Sequence, residues 1–130
     1  MRNNTQASNL KADYLDEDEI QTALFQQIAV RGAPQAVFFH IPGNPRSARD
    51  GARLKRLGAK AGMPDIGIIH RGRIMLLEVK RFGGRQSPEQ IAAMHEIMAA
   101  GGIYVCAYGL DHCIAVLESW HVLLRSVKVA

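Results

Sequence analysis

Cysteine is scarce in this chain, and its scarcity disfavours two classes of small protein. The 130 residues contain only Cys106 and Cys113, which form neither a CxxC pair nor a larger cysteine framework. Zinc-ribbon and disulfide-scaffold proteins need such spacings, so neither class fits. Two reduced thiols are the expectation, as is usual in the cytoplasm.

Aromatic residues and long apolar runs are also few. Phe, Trp and Tyr make up 6% of the chain, which argues against the multi-aromatic surfaces of single-strand-binding proteins. The first ten residues are polar, so no signal peptide is expected. No apolar run reaches the roughly 20 residues of a membrane-spanning helix, so no membrane partner is expected.

Acidic residues are rare in the middle of the chain, where basic residues are common. From Arg31 to Arg85 twelve Lys and Arg residues face only three acids, and the whole chain carries a net charge of +4. A basic middle suits a polyanionic partner such as DNA. The hydrophobic content of 48% predicts one compact domain over residues 15–130, preceded by a weakly ordered lead-in over residues 1–14.

The most informative pattern is a predicted β-hairpin from Asp65 to Lys80. Two apolar runs flank Arg71-Gly72, and a Gly-containing dipeptide between such runs favours a two-residue turn. That turn places Asp65 opposite Glu78. Since side chains alternate along a strand, Glu78 and Lys80 share one face. Two carboxylates directly opposite each other destabilise a sheet, and a hard divalent cation, Mg²⁺ or Mn²⁺, would relieve the repulsion.

Two alternatives to this interpretation of the hairpin stay open. The Glu and Lys can be ordinary exposed residues at the end of a hairpin, without any metal. A one-residue bulge at Gly72 would place Asp65 opposite Leu77 instead of Glu78.

Periodicity and capping patterns predict the remaining elements. Together with the hairpin they give the order α-β-α-β-β-α-β-α, a mixed α/β domain. The predicted elements are a helix over Asp16–Arg31, a strand over Gln35–Ile41, a helix from Ser47 to about Ala61, a helix capped by Ser87, a strand over Ile103–Tyr108, and a helix from its cap Asp111 to about Trp120.

Three segments together resemble the PD-(D/E)xK nuclease superfamily, and more narrowly its VRR-type (virus-type replication-repair) nuclease family. They are Gly62-Met63-Pro64-Asp65, Glu78-Val79-Lys80 and Ser87-Pro88-Glu89-Gln90. The likeness extends from Asp16-Glu17 to near Trp120, which is most of the chain. One departure is Gly43-Asn44-Pro45, where relatives often read Asn-Gly-Gly.

The resemblance implies a restriction-endonuclease-like mixed sheet flanked by helices. It also implies a Mg²⁺- or Mn²⁺-dependent DNA endonuclease, selective for branched DNA such as Holliday junctions, that acts in replication, repair or recombination. Such a protein would work as a homodimer in the cytoplasm and be encoded by a bacterium or a phage. A non-catalytic DNA-binding module of the same fold is the alternative, and an assembly protein with incidental charges is a further one.

The resemblance also assigns roles to residues of the site. Asp65, Glu78 and the Val79 backbone carbonyl would bind the metal, Lys80 would act on the attacking water, and Glu17 would complete the site. Periodicity also places Glu17 on the inward stripe of its helix, although an acid there can simply favour the helix dipole. Gln90 would hydrogen-bond the site from beneath, or it can serve only to cap its helix.

Basic residues recur at spacings of three and four between Arg46 and Lys60, and two more follow the hairpin. They predict contacts with DNA phosphates, although such a stripe can also be a solvated face or part of a mobile loop. The candidates are Arg46, Arg49, Arg53, Lys55, Arg56, Lys60, Arg81 and Arg85.

The C-terminal residues Val122-Leu123-Leu124, Val127 and Val129 form an apolar run. It predicts a surface for a second copy, or else a last element packed on its own core.

Overall fold

Residues 14–43 and 45–125 are described by the structure, a computed structural model of the chain. Outside these ranges lie residues 1–13 of the predicted lead-in, Asn44, and residues 126–130, which include Val127 and Val129 of the apolar run. The observed element order is the predicted one. The elements are α1 Glu17–Arg31, β1 Val37–His40, α2 Ala48–Arg56, β2 Ile66–His70, β3 Arg73–Lys80, α3 Pro88–Ala99, β4 Ile103–Tyr108 and α4 Leu110–Ser119.

The four strands form one mixed sheet in the order β1-β2-β3-β4. The β1–β2 and β2–β3 pairs are antiparallel, whereas β3 and β4 run parallel. Parallel neighbours need a crossover connection, and α3 provides it. The predicted fold class, a mixed α/β sheet flanked by helices, is confirmed.

The hairpin has the predicted turn and register. Arg71 and Gly72 have φ values of 51° and 76°, the two positive values that a type I′ turn requires. Ile66 pairs with Leu77 without a bulge. Extending that register by one residue places Asp65 opposite Glu78, as the sequence predicts.

One face of the sheet forms the hydrophobic core. Met75, Leu77 and Val79 of β3 are buried there against Ile20 and Leu24 of α1 and against α4. Burying an aliphatic side chain contributes roughly 1.5–3 kcal/mol, so this face fixes β3 firmly in the fold. Glu78 and Lys80 alternate with these residues and therefore project from the opposite face.

Helix α2 is shorter than predicted. It begins after the predicted N-cap Ser47, whose side chain accepts from the Asp50 N–H, but it ends at Arg56 and not near Ala61. Gly58 has a φ of +96°, outside the helical range, so the chain turns away there. Lys60 consequently lies in a loop and does not extend the basic stripe of the helix.

Two other predicted boundaries also move. The first strand begins at Val37 and not at Gln35, because Gln35 has a φ of +62° in a turn. The last helix begins at Leu110 after Gly109, which caps it without a side-chain hydrogen bond. The predicted cap Asp111 was therefore wrong, and this residue lies in the first helical turn.

The start of the C-terminal apolar run belongs to the chain's own core. Val122 and Leu123 are 0% and 2% exposed. The Val122 carbonyl accepts from the Ala33 N–H at 2.8 Å, and Leu123 forms a bridge with Gly32. For these two residues the second alternative, packing on the chain's own core, is confirmed, and the surface for a second copy is not. Among the described residues, no helix has both the length and the apolar character needed to cross a membrane.

Candidate active site

Two carboxylates meet where β2 begins and β3 approaches its end. Asp65 immediately precedes β2, and its Oδ2 accepts from the Val79 backbone N–H at 2.8 Å. Glu78 is 1% exposed, and its Oε1 accepts from the Gln90 side-chain amide at 3.0 Å. The other oxygen, Glu78 Oε2, is buried without a hydrogen-bond partner. A buried, unpartnered carboxylate oxygen is costly, so this atom points to a missing ligand.

Burial raises the pKa of Glu78 from its ordinary value of 4.5 to about 8. The nearby Asp65 carboxylate raises the pKa of Glu78 further by charge repulsion, while Lys80 acts in the opposite direction. Without a cation, burial and the Asp65 charge therefore favour the protonated form of Glu78. A cation that replaced this proton would be bound in competition with it.

Lys80 lies between two acidic side chains. Its Nζ is 3.7 Å from Glu78 Oε1 and 3.6 Å from Glu17 Oε1. Lys80 is 7% exposed, so its ammonium is held in place mainly by these carboxylates. Glu17 lies in the first turn of α1, and its ion pair with Lys80 connects it to the site. The position of Glu17 agrees with both alternatives, a residue of the site and an acid that favours the start of a helix.

Gln90 performs both functions that the sequence left open for it. Its Oε1 accepts from the Ser87 N–H at 2.8 Å, which closes the capping box of α3. Its Nε2 donates to Glu78 Oε1. The helix cap therefore fixes the amide that holds Glu78.

His40 makes contacts beside the site that the sequence analysis did not predict. His40 Nδ1 lies 2.9 Å from the Asp65 carbonyl oxygen and 2.8 Å from the side-chain amide of Gln21. The Ile41 N–H donates to the same carbonyl at 2.7 Å. The available signal was the position of Gln21, one helical turn after Glu17. This bridge ties α1, through His40 of β1, to the residue just before β2.

The donor set fits a hard divalent cation. Carboxylate and carbonyl oxygens are the ligands that Mg²⁺ and Mn²⁺ prefer, and Glu78 Oε2 supplies the unpartnered oxygen. The part of the chain that the structure describes has no cluster of three or more His, Cys, Asp or Glu placed around a metal. All four predicted ligands, which are Asp65, Glu78, Glu17 and the Val79 carbonyl, therefore stay predictions.

An open cleft of about 450 Å³ lies beside the carboxylates, between the start of α1 and the start of α3. Glu17, Asp65 and Gln90 line it together with His40 and Lys60. Lys60 also forms an ion pair with Glu96 of α3. A substrate phosphate in this cleft would lie close to Glu17 and Asp65.

The other basic candidates lie on two exposed segments. Helix α2 buries no side chain, and one of its arginines, Arg53, is 3.7 Å from Asp50. A second segment, the loop after β3, directly follows Lys80. The exposed basic residues are Arg46, Arg49, Arg53, Lys55 and Arg56 on or beside α2, and Arg81 and Arg85 on that loop.

A solved structure described as a "VRR_NUC domain protein" resembles this chain. The two superpose with a TM-score of 0.71 and share 29% sequence identity over 84% of this chain and 90% of the other. No family model matches the chain. No curated protein matches it either.

Proposed function

Because the chain has the fold of the VRR-NUC family, we propose that it is a metal-dependent DNA endonuclease that hydrolyses phosphodiester bonds. The structural likeness supports the fold of the family that the sequence resembles. One observation carries the proposal beyond the fold. Glu78 is a buried carboxylate with an unpartnered oxygen, next to a second carboxylate and a buried lysine.

Asp65, Glu78 and the Val79 carbonyl are the residues that would hold Mg²⁺ or Mn²⁺, with Glu17 completing the site. When bound, the cation would supply Lewis acidity toward the phosphate and lower the pKa of an attacking water. The chain itself supplies orientation. The Val79 N–H and the Gln90 amide each fix one carboxylate, so both ligands are aimed before substrate arrives.

Lys80 would neutralise charge on the scissile phosphate and orient the attacking water. Its burial and its two acidic neighbours, Glu17 and Glu78, hold the Lys80 side chain in a fixed position. A preorganised charge in a buried site stabilises developing negative charge more effectively than a solvated one.

Selectivity for branched DNA, including Holliday junctions, and a function in replication, repair or recombination are the finer parts of this proposal. The test is cleavage of end-labelled branched, nicked, single-stranded and duplex DNA in Mg²⁺, in Mn²⁺ and in chelator. Faster metal-dependent cleavage of branched DNA supports the proposal. Metal-independent binding without cleavage would favour the alternative, a non-catalytic DNA-binding module of the same fold.

The arginines of α2 are proposed to contact DNA phosphates. Replacing Arg49, Arg53 and Arg56 together by Ala should weaken DNA binding and leave metal affinity unchanged. Each duplex phosphate contact that is lost flattens the slope of log affinity against log salt by about 0.9. Fluorescence anisotropy across a salt series measures this slope.

The control variant is Arg31→Ala. Arg31 lies on α1, away from α2, and its side chain pairs with Glu118 and Gln27. This control should leave the salt slope unchanged. An unchanged slope in the triple variant would show that the α2 stripe is only a solvated face.

We also propose that the protein acts as a homodimer. One metal site cuts one strand, and a two-fold dimer supplies the second site that a junction requires. The exposed row Val37, Ile69 and Ile74 supports an interface on the sheet. These residues are 54%, 41% and 56% exposed, and their pairing places them side by side on three neighbouring strands.

Sedimentation equilibrium at micromolar concentration should therefore show a dimer without DNA. Replacing Ile69 and Ile74 by Lys should shift the dimer toward monomer, because charged side chains oppose an apolar contact. Ile91→Lys on α3, at a residue that is 40% exposed, is the control. A wild-type mass near 14.3 kDa at all concentrations would reject a preformed dimer.

A further inference from the structure

A tight turn directly after Lys80 presents an aromatic ring to solvent. The Arg81 carbonyl accepts from the Gly84 N–H at 2.9 Å, which closes a four-residue turn. Gly83 has a φ of +77°, the conformation that a type II turn needs at its third position. Phe82 occupies the second position and is 60% exposed. We name the segment from Arg81 to Gly84 the Phe82 turn.

The Phe82 turn is attached to the site by short contacts. Lys80 immediately precedes it, and the Lys80 carbonyl accepts from the Gly109 N–H at 2.8 Å. A Cβ placed on Gly109 would lie 4.0 Å from Phe82 Cβ, so the turn rests against the start of α4. The backbone and Cβ of Phe82 are therefore held next to Lys80, the proposed catalytic lysine.

The residues that flank the Phe82 turn in sequence are cationic. Arg81 precedes Phe82, Arg85 follows the turn, and both arginines are exposed. A phenyl ring that is 60% exposed does not contribute to the hydrophobic core. An aromatic face for stacking, with positive charge on both sides for phosphates, is the combination that binds a nucleotide.

We propose that Phe82 stacks on an unpaired nucleobase next to the scissile phosphate, so that the Phe82 turn selects DNA whose base pair is already open. This inference rests on the proposed nuclease function and names the feature of the substrate that is recognised. Arg81 and Arg85 would neutralise the phosphates on either side of that base. A single ring accommodates one base, in keeping with the low aromatic content of the chain.

The selectivity follows from two opposing contributions. Stacking one base on an aromatic side chain strengthens binding by roughly 5- to 100-fold. Opening an intact base pair opposes binding, and this penalty is smallest for a base that is mismatched or unpaired. Stacking on Phe82 is therefore gained in full only at a branch, a flap or a mismatch.

Phe82→Ala is the direct test, with binding measured in EDTA so that no DNA is cut. The ligands are a branched DNA with 2-aminopurine as the unpaired base at the branch and a continuous duplex with the same label. We expect about a tenfold loss of affinity for the branched DNA and less than about a twofold change for the duplex. Phe82→Trp should restore both the affinity and the quenching of 2-aminopurine that stacking causes.

A glycine pair provides the matched control. Gly83→Ala keeps the ring but strains the Phe82 turn, because Ala at a φ of +77° is unfavourable. Gly72→Ala imposes the same strain at +76° in the distant hairpin turn, and in both places the added methyl meets no other atom within 4 Å. We expect Gly83→Ala to lower the preference for branched DNA and Gly72→Ala to leave it unchanged.

Three results would overturn the inference. They are an unchanged preference in Phe82→Ala, an equal loss on both DNAs, and failure of Phe82→Trp to restore quenching. Metal-dependent cleavage that persists beside any of these results leaves the proposed nuclease intact. Binding without cleavage by the wild type rejects the nuclease, while the affinity ratio still decides the function of Phe82.

Discussion

Replacing Asp65 by Asn or Glu78 by Gln is expected to abolish DNA cleavage while the fold remains intact. Each change removes a charged metal ligand and preserves the shape of the side chain. Loss of partners in the outer shell of a metal site costs about 10- to 100-fold, so loss of a direct ligand should exceed about a hundredfold. Initial cleavage rates in saturating Mg²⁺ measure the effect, and circular dichroism reports the fold.

The control for Asp65→Asn is Asp111→Asn, the same chemical change at an exposed residue in the first turn of α4. This control should cleave at the wild-type rate. Loss of a direct ligand should leave less than about a hundredth of the wild-type rate. If either site variant kept more than about a tenth of that rate, the assignment of the site would be wrong.

Stability of the metal-free protein is expected to fall as the pH rises from about 4.5 to about 8. The pKa of Glu78 is raised in the folded protein from 4.5 to about 8. Between these values the unfolded chain has lost the proton and the folded chain still holds it, so raising the pH favours unfolding. The loss approaches about 1.4 kcal/mol per pH unit, and it levels off above the folded pKa.

Urea unfolding in EDTA at pH 5 and pH 8 tests this expectation, with Glu78→Gln as the comparison. Titrating groups far from the site contribute equally to both proteins, so the difference between the two pH dependences reports Glu78 together with its interaction with Asp65. Glu78→Gln should be the more stable protein at pH 8. Identical pH dependences would contradict the burial and the charge repulsion described for Glu78.

The hairpin was predictable in detail because its determinants are local. Arg71-Gly72 fixes the type I′ turn, alternation assigns each side chain to a face, and together they give the register that brings Asp65 to Glu78. The capping box of α3 was predictable for the same reason. Ser87 and Gln90 are three residues apart, and the side chain of each accepts a hydrogen bond from the backbone N–H of the other.

The wrong predictions concern features that depend on backbone conformation or on contacts between residues far apart in sequence. The position of Gly58 does not by itself reveal that the chain leaves the helix there, so α2 was predicted too long. Val122 and Leu123 looked like a free apolar run because their partners, Ala33 and Gly32, are far away in sequence.

The contact of His40 with Asp65 is also long-range and has no periodic signature. The sequence predicted which residues compose the site more successfully than how they support one another. Glu78 was identifiable from the ExK pattern, whereas its unpartnered oxygen and raised pKa depend on burial, which only the folded chain reveals.

Isothermal titration of Mn²⁺ into the metal-free protein near neutral pH tests the central claim most directly, because it reports the metal site independently of any DNA substrate. The wild type should take up Mn²⁺ saturably and release a proton from Glu78, so the observed heat should depend on the ionisation enthalpy of the buffer. The double variant Asp65→Asn, Glu78→Gln should show neither uptake nor proton release. Absence of saturable binding in the wild type, or equal binding in the double variant, would contradict a metal site at Asp65 and Glu78.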